Sequence, residues 1–304
     1  MENLEELQRR FGVSGLVKFE QGRGGLAKIG VNSGLGSAEI YLYGAHVAGF
    51  QPHGAAPVLF MSRRSIFDGR KPIRGGVPLV FPWFGPRPDA PDFPMHGFAR
   101  TRRWDVESCD ARANGTVRVV LTTSNDEATM ALWPHAFMLR FIVVVSNFLD
   151  MTLEVRNLSR EPMQFEEALH SYLAVGDVHQ ISIEGLAGEE YIDRTDGEKK
   201  KKQGDGVIRI TGETDRLYYS SAARVTVRDP ALNRSIVVEK TRSDATVVWN
   251  PWNDKASAMA DLGGDQWQTM VCVETANARD RKVQLPVGGI HRMGARIGVE
   301  AMQK

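Results

Sequence analysis

An all-β fold, a large antiparallel β-sandwich with few short helices, is what this chain predicts, and three observations predict it. Short runs rich in Val, Ile, Leu and aromatic residues recur along most of the 304 residues. Gly, Asn, Asp and Pro separate these runs, at the spacing of strands joined by turns. One stretch alone carries a full set of helix signals, and no linker, composition shift or repeat marks a boundary, so residues 1–304 read as a single domain.

The helix comes first, within residues 1–12. Asn3 caps it, Glu5 and Glu6 lie near its positive end, and Gly12 follows its last turn after Arg10. Strands are then expected at Leu16 to Glu20, Leu26 to Val31, Ala38 to Leu42, Val117 to Thr123, Met138 to Ser146 and Met151 to Asn157. The series continues with Phe165 to Val175, Ile181 to Glu184, Val207 to Thr211, Arg224 to Asp229 and Ser235 to Lys240. Thr246 to Trp249, Met270 to Thr275, Lys282 to Leu285 and Ala295 to Glu300 complete it. The basic run Glu198 to Lys202 reads as a solvated hairpin loop.

Composition narrows the class. A net charge of +1 from 38 basic and 37 acidic side chains argues against a general polyanion binder, so no nucleic-acid partner is expected. Cys109 and Cys272 are too few for a disulfide framework or a cysteine-based metal site. The longest aliphatic and aromatic run, Phe141 to Val145, is far short of a membrane span, and the N-terminus lacks the apolar centre of a secretory signal. A monomer in the cytoplasm, with no membrane partner, is the expectation.

From Phe67 to Trp104 the pattern changes. Seven prolines, Pro72, Pro78, Pro82, Pro86, Pro88, Pro91 and Pro94, fix φ and delete backbone donors, so this stretch sustains neither helix nor central strand. Arg70, Arg74, His96, Arg100, Arg102 and Arg103 are set among its glycines. A loop this long is costly to order and is expected to wall a binding site. The alternative is a cover for a sheet edge, with solvated arginines.

Two later strands carry candidate chemistry. In QFEEALHSYLAV, alternation puts His170 on a face with Glu166 and Tyr172, where an imidazole can serve as acid or base, or be a satisfied structural histidine. A metal site through Glu167 and His170 is weaker, because the two point to opposite faces. In MVCVETAN, Glu274 is the one charge of an otherwise apolar or small strand. Burial there raises a carboxyl pKa and suits a general base, unless the residue pairs with an arginine such as Arg100. Glu166 and Glu274 are also a formal pair for glycoside hydrolysis. Nucleophile-elbow, phosphate-loop and dinucleotide fingerprints are absent.

The runs DGRKPIRGGVPLVFPWFG, MHGFAR, EEALHSYLAVGD, YIDRTDG, VVWNPW and VCVET, in that order, resemble the hexose-6-phosphate mutarotases (glucose-6-phosphate 1-epimerases) of the galactose mutarotase-like superfamily. The resemblance covers roughly Lys28 to Gly298 and implies a β-supersandwich, no cofactor and a hexose 6-phosphate substrate. It implies His170 and Glu274 as catalytic acid and base, Arg74 and Arg100 as substrate-binding arginines, Asp193 as a sugar-contacting aspartate, and His96 as the histidine of the HG pair. Met95 stands where some members have glutamine, so a side-chain hydrogen bond to sugar is missing there. Two other functions remain on this scaffold, a non-catalytic sugar-phosphate-binding module and an aldose 1-epimerase for unphosphorylated sugars.

Overall fold

The structure, a computed structural model, describes residues 3–87, 89, 90 and 92–302, so Pro88 and Pro91 of the proline set lie outside the described residues. It is an antiparallel multi-sheet sandwich with three short α-helices, Leu4–Phe11, Glu127–Leu132 and Trp252–Ala258. The first is the expected helix, and Asn3 accepts a hydrogen bond from the Glu6 amide. The other two were not legible. Asp126 caps the second through a reciprocal bond with Thr129, and the third begins at Trp252 after Pro251 without a side-chain cap.

Two eight-stranded sheets dominate. One runs in space Ser182–Glu184, Arg224–Asp229, Arg234–Thr241, Ile290–Ala301, Leu149–Asn157, Phe137–Val145, Val117–Ser124, Asp105–Ala111. Its Phe137–Val145 strand alternates strictly between buried and half-buried positions, the mark of a sheet with one face on the core. The other runs Lys199–Lys202, Glu190–Asp193, Thr214–Tyr219, Ala245–Asn250, Met270–Asn277, Glu167–Leu169, Leu79–Val80, with Tyr172–Ala174 also paired to Met270–Asn277. Every residue of Ala245–Asn250 and Met270–Asn277 is buried, so these central strands show no alternation of exposure. Val17–Gln21, Ala27–Asn32, Gly36–Tyr41 and His46–Pro52 form a four-stranded sheet.

Three expectations need correction. The Phe165 to Val175 run is not one strand. Met163–Phe165 pairs with Val283–Leu285, and Glu167–Leu169 and Tyr172–Ala174 are separate pieces. Glu166 breaks out because its amide bonds to Pro82 and its carboxylate accepts from the amides of Phe84 and Arg279. Val207 to Thr211 makes a single bridge, Ile208 to Ile183. The lysine run is an edge strand, Lys199–Lys202, where four cations on the sheet margin oppose pairing with another chain.

Candidate active site

The break at His170 builds the site. His170 gives its amide to Pro78 O rather than to the ladder, and the Ser171 amide turns back to Leu169 O. The register nevertheless continues from Leu169 opposite Thr275 to Tyr172 opposite Cys272, so His170 stands across from Glu274. His170 Nδ1 lies 3.3 Å from Glu274 Oε1, and both side chains are buried. Tyr172 stacks on the imidazole with ring centroids 4.8 Å apart and planes 8° from parallel, which fixes its plane. Trp249, opposite Cys272 in the next strand, meets the imidazole edge-on.

A cavity of about 270 Å³ opens over this pair, lined by both and by Arg74, His96, Asp215 and Lys255, with Arg194, Trp249, Phe84, Met95 and Met259 completing its wall. Glu166 lines a separate, larger cleft of about 630 Å³. With both its oxygens bound to backbone amides, it cannot pair with Glu274 as the hydrolytic reading required. Cavity size therefore does not locate the chemistry here.

The proline-rich segment does supply a wall. Gly76 follows Arg74 at φ 61°, and a Cβ there would lie 2.2 Å from Val47 O, so glycine is obligatory where the turn presses on the neighbouring backbone. The turn presents Arg74, whose Nε donates to Asp261 at 3.1 Å and Nη1 to Tyr172 Oη at 2.9 Å. His96 takes φ 63°, and its Nδ1 accepts from the Gly85 amide at 3.1 Å. Its proton therefore resides on Nε2, a neutral donor for the cavity. Burial, with Arg100 nearby, holds the His96 pKa well below the usual value.

Arg100 stands differently from the expectation. It does not line the cavity. It is buried beneath, its Nη2 bonded to Met95 O at 2.7 Å and its Nε without a partner, and burial lowers its pKa to about 10. Its charge reaches His170 and Glu274 through the protein, in place of the ion pair considered for Glu274.

Asp193 does not line the cavity either. Its Oδ1 accepts from the Thr195 amide and hydroxyl and its Oδ2 pairs with Lys201 at 2.8 Å, so the carboxylate is spent within its own hairpin. The aspartate on the cavity wall is Asp215, buried, opposite Trp249 in the ladder and 3.3 Å from Arg194 Nη1. Burial raises its pKa and Arg194 opposes the rise. Thr214–Tyr219 reads TDRLYY without alternation, and Asp215 sits between Thr214 and Arg216, so no local signal marked it. Lys255, on the Trp252–Ala258 helix, was also missed, and its Nζ pairs with Glu213 at 2.7 Å.

Burial sets the electrostatics of the pair. It raises the Glu274 pKa well above the ordinary carboxyl value, reinforced by Asp215. It lowers that of His170 well below the ordinary imidazole value, reinforced by Arg100 and Arg74. Both shifts favour the neutral carboxyl and the neutral imidazole over a charged pair. Glu274 Oε2 is buried and has no hydrogen-bond partner in the protein.

An antiparallel sandwich with a histidine and a glutamate facing one another in a cavity of about 270 Å³ suits a carbohydrate-active isomerase, and similarity to known proteins gives that class. Residues 28–297 match the aldose 1-epimerase family, and the chain belongs to it. A protein of Escherichia coli (strain K12), provisionally named a glucose-6-phosphate 1-epimerase, is 35% identical over 243 residues, 80% of each chain. One from Cenchrus ciliaris with the same name is 32% identical over 262 residues, 83% of this chain and 78% of its own. A crystal structure from Salmonella typhimurium, provisionally described as a mutarotase, superposes with a TM-score of 0.89 at 29% identity, covering 99% of this chain and 100% of that one.

Proposed function

We propose that this chain interconverts the α and β anomers of hexose 6-phosphates, as a glucose-6-phosphate 1-epimerase. The observation that carries the reading is the facing of His170 and Glu274 at 3.3 Å on the floor of a cavity whose wall holds Arg74 and Lys255. Glu274 takes the proton from the C1 hydroxyl while His170 gives one to the ring oxygen, the C1–O5 bond opens, and the open-chain aldehyde forms. Rotation about C1–C2 and reclosure with the roles reversed give the other anomer, so no proton or electron is gained or lost.

That division of labour needs Glu274 ionised and His170 protonated. Burial first, and then Arg100 and Arg74, disfavour the protonated imidazole in the free protein. A phosphate dianion seated on Arg74 offsets their field, so a phosphorylated substrate favours the reactive protonation state as well as its own binding. Arg74, Arg194 and Lys255 line the cavity, and with Arg194 beside Asp215 it is Arg74 and Lys255 that are assigned to that group. Arg100 acts on it only through space. Asp215 and His96 are the acceptor and donor for sugar hydroxyls, fixing the ring over the pair.

NMR exchange between the anomers of glucose 6-phosphate, galactose 6-phosphate and glucose, with and without protein, tests this. Faster exchange of the phosphates than of glucose is expected. Acceleration confined to glucose would make the chain an aldose 1-epimerase for free sugars, and binding without acceleration a non-catalytic module.

A further inference from the structure

Cys272 is the buried group of the site that proton transfer leaves unused. It shares a face of the Met270–Asn277 strand with Glu274, two residues on, and pairs across the ladder with Tyr172, two residues from His170. A ring nitrogen of His170, the Cys272 sulfur and a carboxylate oxygen of Glu274 all lie within 4.8 Å of one another. Two of these three residues also carry an unpartnered buried atom, Nδ1 of His170 and Oε2 of Glu274. Buried polar atoms without partners are uncommon and call for a ligand.

We propose that His170, Cys272 and Glu274 bind a thiophilic divalent cation of the zinc class, and that this cation shuts the site by occupying its acid and base. One nitrogen, one sulfur and one oxygen leave a fourth tetrahedral position for water, the ligand number of an open zinc site. Tetrahedral ligand atoms lie about 3.5 Å apart, so small side-chain movements close the set on an ion. A thiolate, a carboxylate and a neutral imidazole balance a divalent charge, which suits a buried site. Two protons leave to solvent as the ion binds, that of the Cys272 thiol as the metal–sulfur bond forms and that of the Glu274 carboxyl as the metal–oxygen bond forms. Magnesium and calcium, which want several oxygens, are refused by a set with one carboxylate and a sulfur. Arg74 and Arg100 oppose a cation here, and Asp215 and Asp261 answer them.

The test uses the full chain stripped of metal by a chelator. Cd²⁺ is added while the ultraviolet charge-transfer absorption of a cadmium thiolate is followed, and Zn²⁺ is titrated against anomer exchange. The expected result is one Cd²⁺ per chain, a band kept by Cys109→Ser and lost in Cys272→Ser, and inhibition by Zn²⁺ but not by Mg²⁺. Cys272→Ser should retain basal exchange while its sensitivity to Zn²⁺ falls by at least about tenfold, since even an indirect supporting group is worth that much to a metal site. Glucose 6-phosphate should displace the Cd²⁺ band from the wild type, a reading that survives if Cys272→Ser fails to fold. A band that persists without Cys272, no band at all, or unchanged Zn²⁺ inhibition in a folded Cys272→Ser would overturn the proposal. The Cd²⁺ band reads binding without turnover, so its presence in a protein that exchanges no sugar would sink the epimerase reading and leave the metal site standing.

Discussion

Replacing Glu274 by glutamine removes an ionisable oxygen and leaves the shape almost unchanged. The side chain is 2% exposed and its Oε2 has no protein hydrogen bond, so the amide breaks no pairing on that side. Burial already works against ionisation at this position, so the neutral isostere should leave stability within about 1 kcal/mol of the wild type. Catalysis is another matter. A positioned acid or base contributes about 10²–10⁴-fold, or roughly 3–5 kcal/mol of barrier, and glutamine can neither accept nor return the proton of the C1 hydroxyl. Two-dimensional exchange NMR on glucose 6-phosphate reads the rate directly above the spontaneous background. Calorimetry with an analogue lacking the C1 hydroxyl reads binding separately, and its affinity should hold within a few-fold. A Glu274→Gln protein that folds, binds and still exchanges anomers within about tenfold of the wild-type rate would remove Glu274 as the base.

Arg74→Ala should weaken glucose 6-phosphate by about 10–100-fold in KM, the worth of a charge-assisted phosphate contact, and glucose much less; equal losses for both sugars would show that Arg74 does not read the phosphate. Asp215→Asn should raise KM for both sugars alike, whereas Asp193→Asn, whose carboxylate serves Lys201 and Thr195, should leave KM within about twofold. An Asp193 variant with the larger KM effect would restore the aspartate expected from sequence. Gly97→Ala, at φ 71° with a Cβ 1.9 Å from Phe81 O, should cost about 2–4 kcal/mol in urea unfolding, and an unchanged midpoint would refute the close approach. Lys240 is buried, and burial lowers its pKa to about 8. Above that pH the unfolded chain keeps the proton that the folded one has lost, so stability relative to Lys240→Met should rise by about 2 kcal/mol from pH 8 to 9.5; a flat difference would show that Lys240 keeps its charge.

What could be read from sequence followed from local signals strong enough to survive packing. The first helix has a cap and complementary end charges, and strands such as Arg224–Asp229 have turn residues at both ends. The proline-rich segment is shaped loop, with Leu79–Val80 the one piece of strand among its described residues, because proline denies a regular ladder whatever surrounds it. Where tertiary partners outbid local pattern, the reading failed. Glu166 leaves its strand for two amides distant in sequence, and Lys199–Lys202 pairs because Glu190–Asp193 offers an edge. Asp193 and Asp215 have similar local surroundings, each an acid beside a basic residue in a short strand. Only the hairpin that brings Lys201 onto Asp193 tells which of them faces the cavity.

Arg100 and Met95 show how a substitution and a buried charge become one problem. Met95 is 54% exposed at the cavity rim and carries no side-chain donor or acceptor of strength, yet its carbonyl is what Arg100 Nη2 holds at 2.7 Å. The guanidinium thus anchors the backbone on which His96 sits, at a positive φ that the adjoining Gly97, also at positive φ, extends. Burial lowers the pKa of both His96 and His170, and the Arg100 charge lowers each further. An arginine that touched the phosphate would be released from that strain-bearing loop, and His96 would lose the frame that aims its Nε2. From beneath, the same positive charge adds to burial in disfavouring protonation of both imidazoles, and in the proposed reaction a phosphate on Arg74 would offset it.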